Sequence, residues 1–130
     1  MRGKSTTDPK KPKDKADSVL SDDEIRYSIL TLLYKKAKES PDSRILHRKK
    51  IVEILCIPEN SVYFNLNYLE EAKLIEKVDM FYSSEGWGGD RVTASGIDVV
   101  EHKEKNKNCF PFLNATIPIQ IQNKIGLINL

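Results

Sequence analysis

The sequence predicts a small α+β domain, mainly helical, on three observations. Apolar residues recur at helical spacing in three successive stretches between residues 22 and 72. Beyond Ile75 the pattern turns to alternation, broken by the glycine-rich "SSEGWGGD". The last segment, "ATIPIQIQNKIGLINL", alternates again. Together they give three helices, a β-hairpin, a further helix and a short C-terminal β segment. At 130 residues, with 39% hydrophobic content, the chain suits one domain plus appendages.

Each element has its own signal. Residues 1–17, "MRGKSTTDPKKPKDKAD", hold six Lys/Arg and three Asp and almost nothing to bury, which reads as a disordered basic arm. The first helix starts at a capping box of Ser21 and Glu24, with Leu20 and Ile25 as a hydrophobic staple. Asp22 and Asp23 suit its positive end. Ile25, Ile29, Leu32 and Leu33 share a face, which Leu30, Tyr34 and Ala37 widen. Lys35, Lys36 and Lys38 complement the closing turn, and Pro41 ends it. A short strand is expected over Arg44–Leu46 and a second helix over Arg48–Cys56, stopped by Ile57-Pro58. The third helix runs from Glu59 to about Ala72, with Val62, Leu66 and Leu69 facing the core.

Val78, Met80 and Tyr82 then alternate as the first arm of the hairpin, with a loop around Gly86–Gly89 and "RVTAS" as the return. Thr93 or Ser95 can cap a last helix carrying Ile97, Val99 and Val100, which frays over 103–108. In the C-terminal segment Ile117, Ile119 and Ile121 alternate with Pro118, Gln120 and Gln122, and Pro118 suits an edge strand. A lone two-stranded ribbon is marginal in water. The segment therefore needs its own domain, a second copy or residues outside this chain to pack on. The divisions are 1–17, an arm; 18–108, the folded domain; and 109–130, a β-like segment suited to dimerisation.

Composition narrows the function classes. Beyond residue 17 the chain carries 15 positive and 16 negative charges, so the folded part is not basic. Cys56 and Cys109 have no metal or redox spacing. Cys56, in an apolar helical stretch, is expected to be a buried thiol, and a reducing cytoplasm is the simple setting. No apolar run is long enough for a membrane span, and the N-terminus has no apolar core of a secretory signal. His47 and His102 stand alone, "GWGGD" lacks the Lys-Ser/Thr of a phosphate loop, and no nucleophile motif appears. No enzyme, cofactor or metal is expected.

The stretches "RKKIVEILCIPENSVYFNLNYLEEAKLIEK" and "DRVTASGIDVVE" carry a resemblance. A short helix, a turn, a helix ending in L-x-x-L-E-x-x-x-L-I and a T-x-x-G-I entry to the next helix together resemble the winged helix-turn-helix domains of archaeal and bacterial transcription regulators, of the MarR/ArsR-like type. The resemblance covers about residues 22–104. It implies a three-helix core with a β-hairpin wing, and double-stranded DNA as partner, with the third helix in the major groove. A homodimer would meet a palindromic site through its first helix, its C-terminal segment or both. The resemblance names no small-molecule effector.

The candidate DNA-binding residues follow from that placement. Asn60, Ser61, Tyr63, Phe64, Asn67 and Tyr68 lie off the core side of the third helix, and amides and aromatic edges suit adenine and the thymine methyl. Phosphate contacts fall to Arg44, to Arg48, Lys49 and Lys50 at the start of the second helix, and to Arg91 beside the wing, with Trp87 at its tip. The third helix has three glutamates and no Lys or Arg. Its aromatic face equally suits a protein-protein interaction module, an adaptor or a subunit of a larger complex.

Overall fold

Ser21 opens the first helix as its sequence dictates. In a computed structural model, which describes residues 19–79 and 88–128, its hydroxyl accepts from the Glu24 amide at 3.1 Å while the Glu24 carboxylate accepts from the Ser21 amide at 2.8 Å. Helix α1 spans Asp22–Glu39. Strand β1 (Leu46–His47) leads directly into α2 (Arg48–Leu55), and α3 covers Glu59–Glu71. Strands β2 (Ile75–Val78) and β3 (Gly89–Val92) follow, then α4 (Ala94–Glu101), the short α5 (Lys103–Asn106), a 3-10 turn at Pro111–Asn114 and α6 (Ile119–Leu127). The described chain is thus mostly helical, with one small antiparallel sheet in the order β1-β3-β2. None of its helices is long and apolar enough to cross a membrane.

Helix α1 lies at the centre. Ile25, Ile29, Leu32 and Leu33 are buried as expected, and so is Leu30 on another side. The helix packs against α3, the sheet, α4, the 3-10 turn and α6. Its apolar residues are covered within the one chain.

Helix α3 ends in a Schellman motif. The Leu74 amide bonds the Leu69 carbonyl and the Lys73 amide bonds that of Glu70, each at 3.0 Å, with Lys73 in the left-handed region at φ 68°. This reversal feeds Leu74 and Ile75 straight into β2, so the strand starts three residues earlier than Val78. Met80, Tyr82 and the Gly86-Trp87 half of the expected loop, like the arm, lie outside the described residues. Strand β1 is likewise displaced, to Leu46–His47, where it pairs with Asp90 and Gly89.

The "TASG" entry to α4 has a double role. The Thr93 hydroxyl accepts from the Gly96 amide at 3.1 Å and reaches the Lys73 and Leu74 carbonyls at 2.8 and 3.0 Å. Thr93, not Ser95, is therefore the cap, and it ties α4 to the end of α3. A Cβ on Gly96 would collide with the Leu74 carbonyl, and one on Gly89 with that of Leu46. Both glycines mark places where backbones touch.

The C-terminal segment departs from expectation. It forms a 3-10 turn and a helix, not a β ribbon. Ile121, Ile125 and Ile128 also match helical spacing, and the first two are buried with Ile117. Pro118, at φ −55° and ψ 145°, serves as the N-cap of α6, where its missing N–H costs nothing. Lys35 donates to the carbonyls of Ile125 and Ile128 at the far end, placing a cation on the negative helix terminus. Phe112 and Leu113 are fully buried against α1. The segment packs on its own domain.

Cys56 also departs from expectation. Helix α2 ends there with the residue in the left-handed region, φ 55°. That turn swings the thiol outward, and both cysteines are exposed.

Candidate nucleic-acid interface

Helix α3 presents four kinds of side. Val62, Asn65, Leu66 and Leu69 are buried. Asn60, Phe64, Asn67 and Glu71, at i, i+4, i+7 and i+11, form the outward stripe, and all are exposed. Phe64 is 60% exposed, among the few large apolar side chains left open in the described chain. The tail does not cover this stripe. Tyr63 and Glu70 flank it toward α2 and the sheet. Ser61 and Tyr68 flank it on the other side.

Those flanks separate the candidate residues. Tyr68 lies under the Arg26 guanidinium of α1, 3.7 Å from the ring centroid. Arg26 also donates to the Asn65 side chain at 2.8 Å, and Asn65 donates to Asp22 and to the Ser61 carbonyl. This network satisfies a fully buried amide and pins α3 to α1. Ser61 lines an apolar groove beside α6. Neither residue belongs to the outward stripe.

Arg48 has an internal task. Its side chain is 12% exposed and bonds the Asp90 carboxylate at 2.8 and 3.2 Å. It also donates to Asn67 at 3.2 Å, lies 3.7 Å from Glu70 and sits over the Tyr63 ring. Asp90 is fully buried. Burial pushes its carboxyl above the ordinary 3.8, outweighing the opposing pull of Arg48. Tyr63 is also pushed above its ordinary 10.0, by burial first and then by the Glu59 carboxylate. Its phenol stays protonated and able to donate.

The other predicted cations divide. Arg91 faces Glu76 directly across the β2–β3 ladder and pairs with it. Lys50 lies 4.0 Å from Glu53 in an exposed pair of little energetic weight. Arg44, ahead of β1, is half-buried. Lys49 is exposed and lines a pocket of about 270 Å³ with Arg48, Tyr63, Lys77, Gly88 and Gly89. Lys77, which the sequence did not single out, stands opposite Asp90 in the ladder. Neither Lys49 nor Lys77 has an ion pair among the described residues. Trp87 lies outside those residues.

No protein-family model, curated protein or solved structure matches this chain. The site therefore rests on its own geometry.

That geometry contains an electrostatic conflict. Helix α2 begins Arg48-Lys49-Lys50, with no acid in its first turn and no side-chain cap from His47. Three cations thus stand at the positive end of a helix, where cations are unfavourable by a few tenths to about 1 kcal/mol each. Asp90 answers Arg48, and Glu53 lies near Lys50. Lys49 remains, beside a helix start without a side-chain cap, and Lys77 of β2 lines the same pocket. Such a place favours an anion. Among the described residues no group of His, Cys, Asp and Glu could hold a metal ion.

Proposed function

We propose that the chain is a winged-helix double-stranded-DNA-binding regulator. In this reading α3 enters the major groove and phosphates are gripped from α2 and β2. The observation that carries it is the uncovered stripe Asn60, Phe64, Asn67 beside the pocket that Lys49 and Lys77 line. Neutral amides and an aromatic edge can read bases, and A·T pairs suit them best. Cations on neighbouring elements then hold the backbone. Arg48 acts from within, orienting Asn67 and Tyr63 through its own contacts.

A homodimer would set two such helices about one helical turn apart on a palindromic site. Its support is the outer side of α6, where Ile119 is 64% and Leu127 85% exposed. Sedimentation of the free protein tests this, and a monomer at every concentration would dismiss it.

Duplex binding measured over a salt series, with A·T-rich and G·C-rich pools, tests the main reading. Affinity should fall steeply with salt and favour the A·T-rich pool. Replacing Lys49 and Lys77 by Gln should weaken binding to all sequences alike and lower the salt slope by about two. Salt-insensitive or absent binding would refute the reading.

Phe64 supports a second one. It is exposed between Asn60, Asn67 and Glu71, and none of these is a cation. Arg48 and Arg91, the nearby arginines, are already paired. A protein-protein interaction module would use this aromatic centre, with an affinity only weakly dependent on salt.

A further inference from the structure

Two asparagines of α3 accept from arginines on other helices. Asn65 accepts from Arg26 of α1 at 2.8 Å, and Asn67 accepts from Arg48 of α2 at 3.2 Å. The two amides differ in what is left over. The Asn65 amino group donates to Asp22 and to the Ser61 carbonyl, and the residue is fully buried. Asn67 is exposed, and no described residue accepts from its amino group. Held at its oxygen, this amide turns its N–H donors to the outside.

The holding group is itself held. Arg48 meets the Asp90 carboxylate through Nε at 2.8 Å and Nη2 at 3.2 Å, a side-on fork that fixes the guanidinium plane. Asp90 is fully buried in β3, opposite Leu46 on one side and Lys77 on the other. The remaining nitrogen, Nη1, is the one that reaches Asn67. A guanidinium has only donors, so the atom facing it must be Oδ1 and the amino group must face away. Asp90 thus sets Arg48, and Arg48 sets which end of the Asn67 amide the outward stripe presents.

In a major groove, asparagine reads adenine with both ends of its amide: the oxygen accepts from N6 and the amino group donates to N7. With Oδ1 turned to Arg48, that pair of contacts is broken. Guanine presents two neighbouring acceptors, N7 and O6, which suit an amino group shown alone. Thymine presents one acceptor, and cytosine a donor. Resting on the duplex-binding reading above, we propose that Asp90 and Arg48 make Asn67 a donor that selects guanine over adenine at one position of an otherwise A·T-leaning site. Asn60 has no such tether among the described residues and keeps the adenine preference.

Binding selections from randomised duplexes test this. Asn67→Ala should flatten the preference at one position, which identifies the base that Asn67 faces. The natural chain should take guanine over adenine there by roughly fivefold, the lower end for a good base contact. Arg48→Lys keeps a charge for Asp90 but has no fork to span both partners. It should turn that position toward adenine and leave the others as they were. The paired change Arg48→Met with Asp90→Leu, which leaves no buried charge, should do the same. In the free protein, NMR order parameters of the Asn67 side-chain amide should lie near backbone values and fall in both variants. Circular dichroism melting confirms that each variant is folded. Adenine at that position in the natural chain, guanine retained by a folded Arg48→Lys protein, or a mobile amide in the natural chain would each overturn the proposal and leave duplex binding standing. A guanine preference that survives Asn67→Ala would mean that Arg48 reads the base itself, and overturns it too. No duplex binding at any salt would remove the reading on which the proposal rests, and the proposal with it.

Discussion

Asp90 is the residue on which the site's order most depends. It carries a fully buried carboxylate whose partner, Arg48, is 42 positions away. Arg48→Ala should destabilise the fold by about 3 kcal/mol, because it leaves that charge buried and unpaired. Urea unfolding checks the figure. The pH dependence has a definite sign. The folded carboxyl is raised above 3.8, so the fold holds this proton better than the unfolded chain does. The stabilisation from Asp90 is complete below the unfolded value and is lost as pH rises through the folded one. The difference in stability between the natural chain and Asp90→Asn should therefore shrink or reverse as pH climbs through that window. At Lys73 the strain is local. A non-glycine residue in the left-handed region costs about 1 kcal/mol, so Lys73→Gly should raise stability by about that much in the same assay.

Elements signalled by short-range chemistry were legible in the sequence. Ser21 with Glu24 fixed the start of α1, Pro58 the break before α3, and Thr93 the entry to α4. The outward stripe of α3 followed from Val62, Leu66 and Leu69 alone. What escaped were features set by distant partners. The spacing of Ile117, Ile121 and Ile125 fits a helix, but the neighbouring Ile119 fits a strand equally well. The choice was made by the α1 and α2 surfaces that α6 covers. Arg48 looked free because its acid arrives on β3. Lys77 was passed over because a single lysine in a strand has no pattern. Cys56 looked buried because a helix running one residue further would have hidden it. At this scale Lys49 and Lys77 should act together. Their joint loss should depress duplex affinity without changing sequence preference, and loss of Asn60 or Asn67 should do the reverse.

Across the whole molecule, the C-terminal residues complete the core. Phe112 lies near Tyr27 and Phe110, with ring centroids 6.4 and 6.0 Å away, and is fully buried. Phe112→Ala should cost about 3–5 kcal/mol, read as a lowered denaturation midpoint. A chain ending at residue 108 should lose cooperative unfolding, since Leu113, Ile117, Ile121 and Ile125 would leave α1 uncovered. If that shorter chain unfolds in one sharp transition, α6 is an appendage and not part of the core.

The central place of α1 also bears on how the protein is made. Synthesis on the ribosome delivers this helix early, yet its covering residues emerge some eighty positions later. Until then the nascent chain presents an oily cylinder with only the first helices and the hairpin to shield it. Such a polypeptide should engage chaperones during translation and release them late, once the Phe-Pro-Phe-Leu turn has left the exit tunnel.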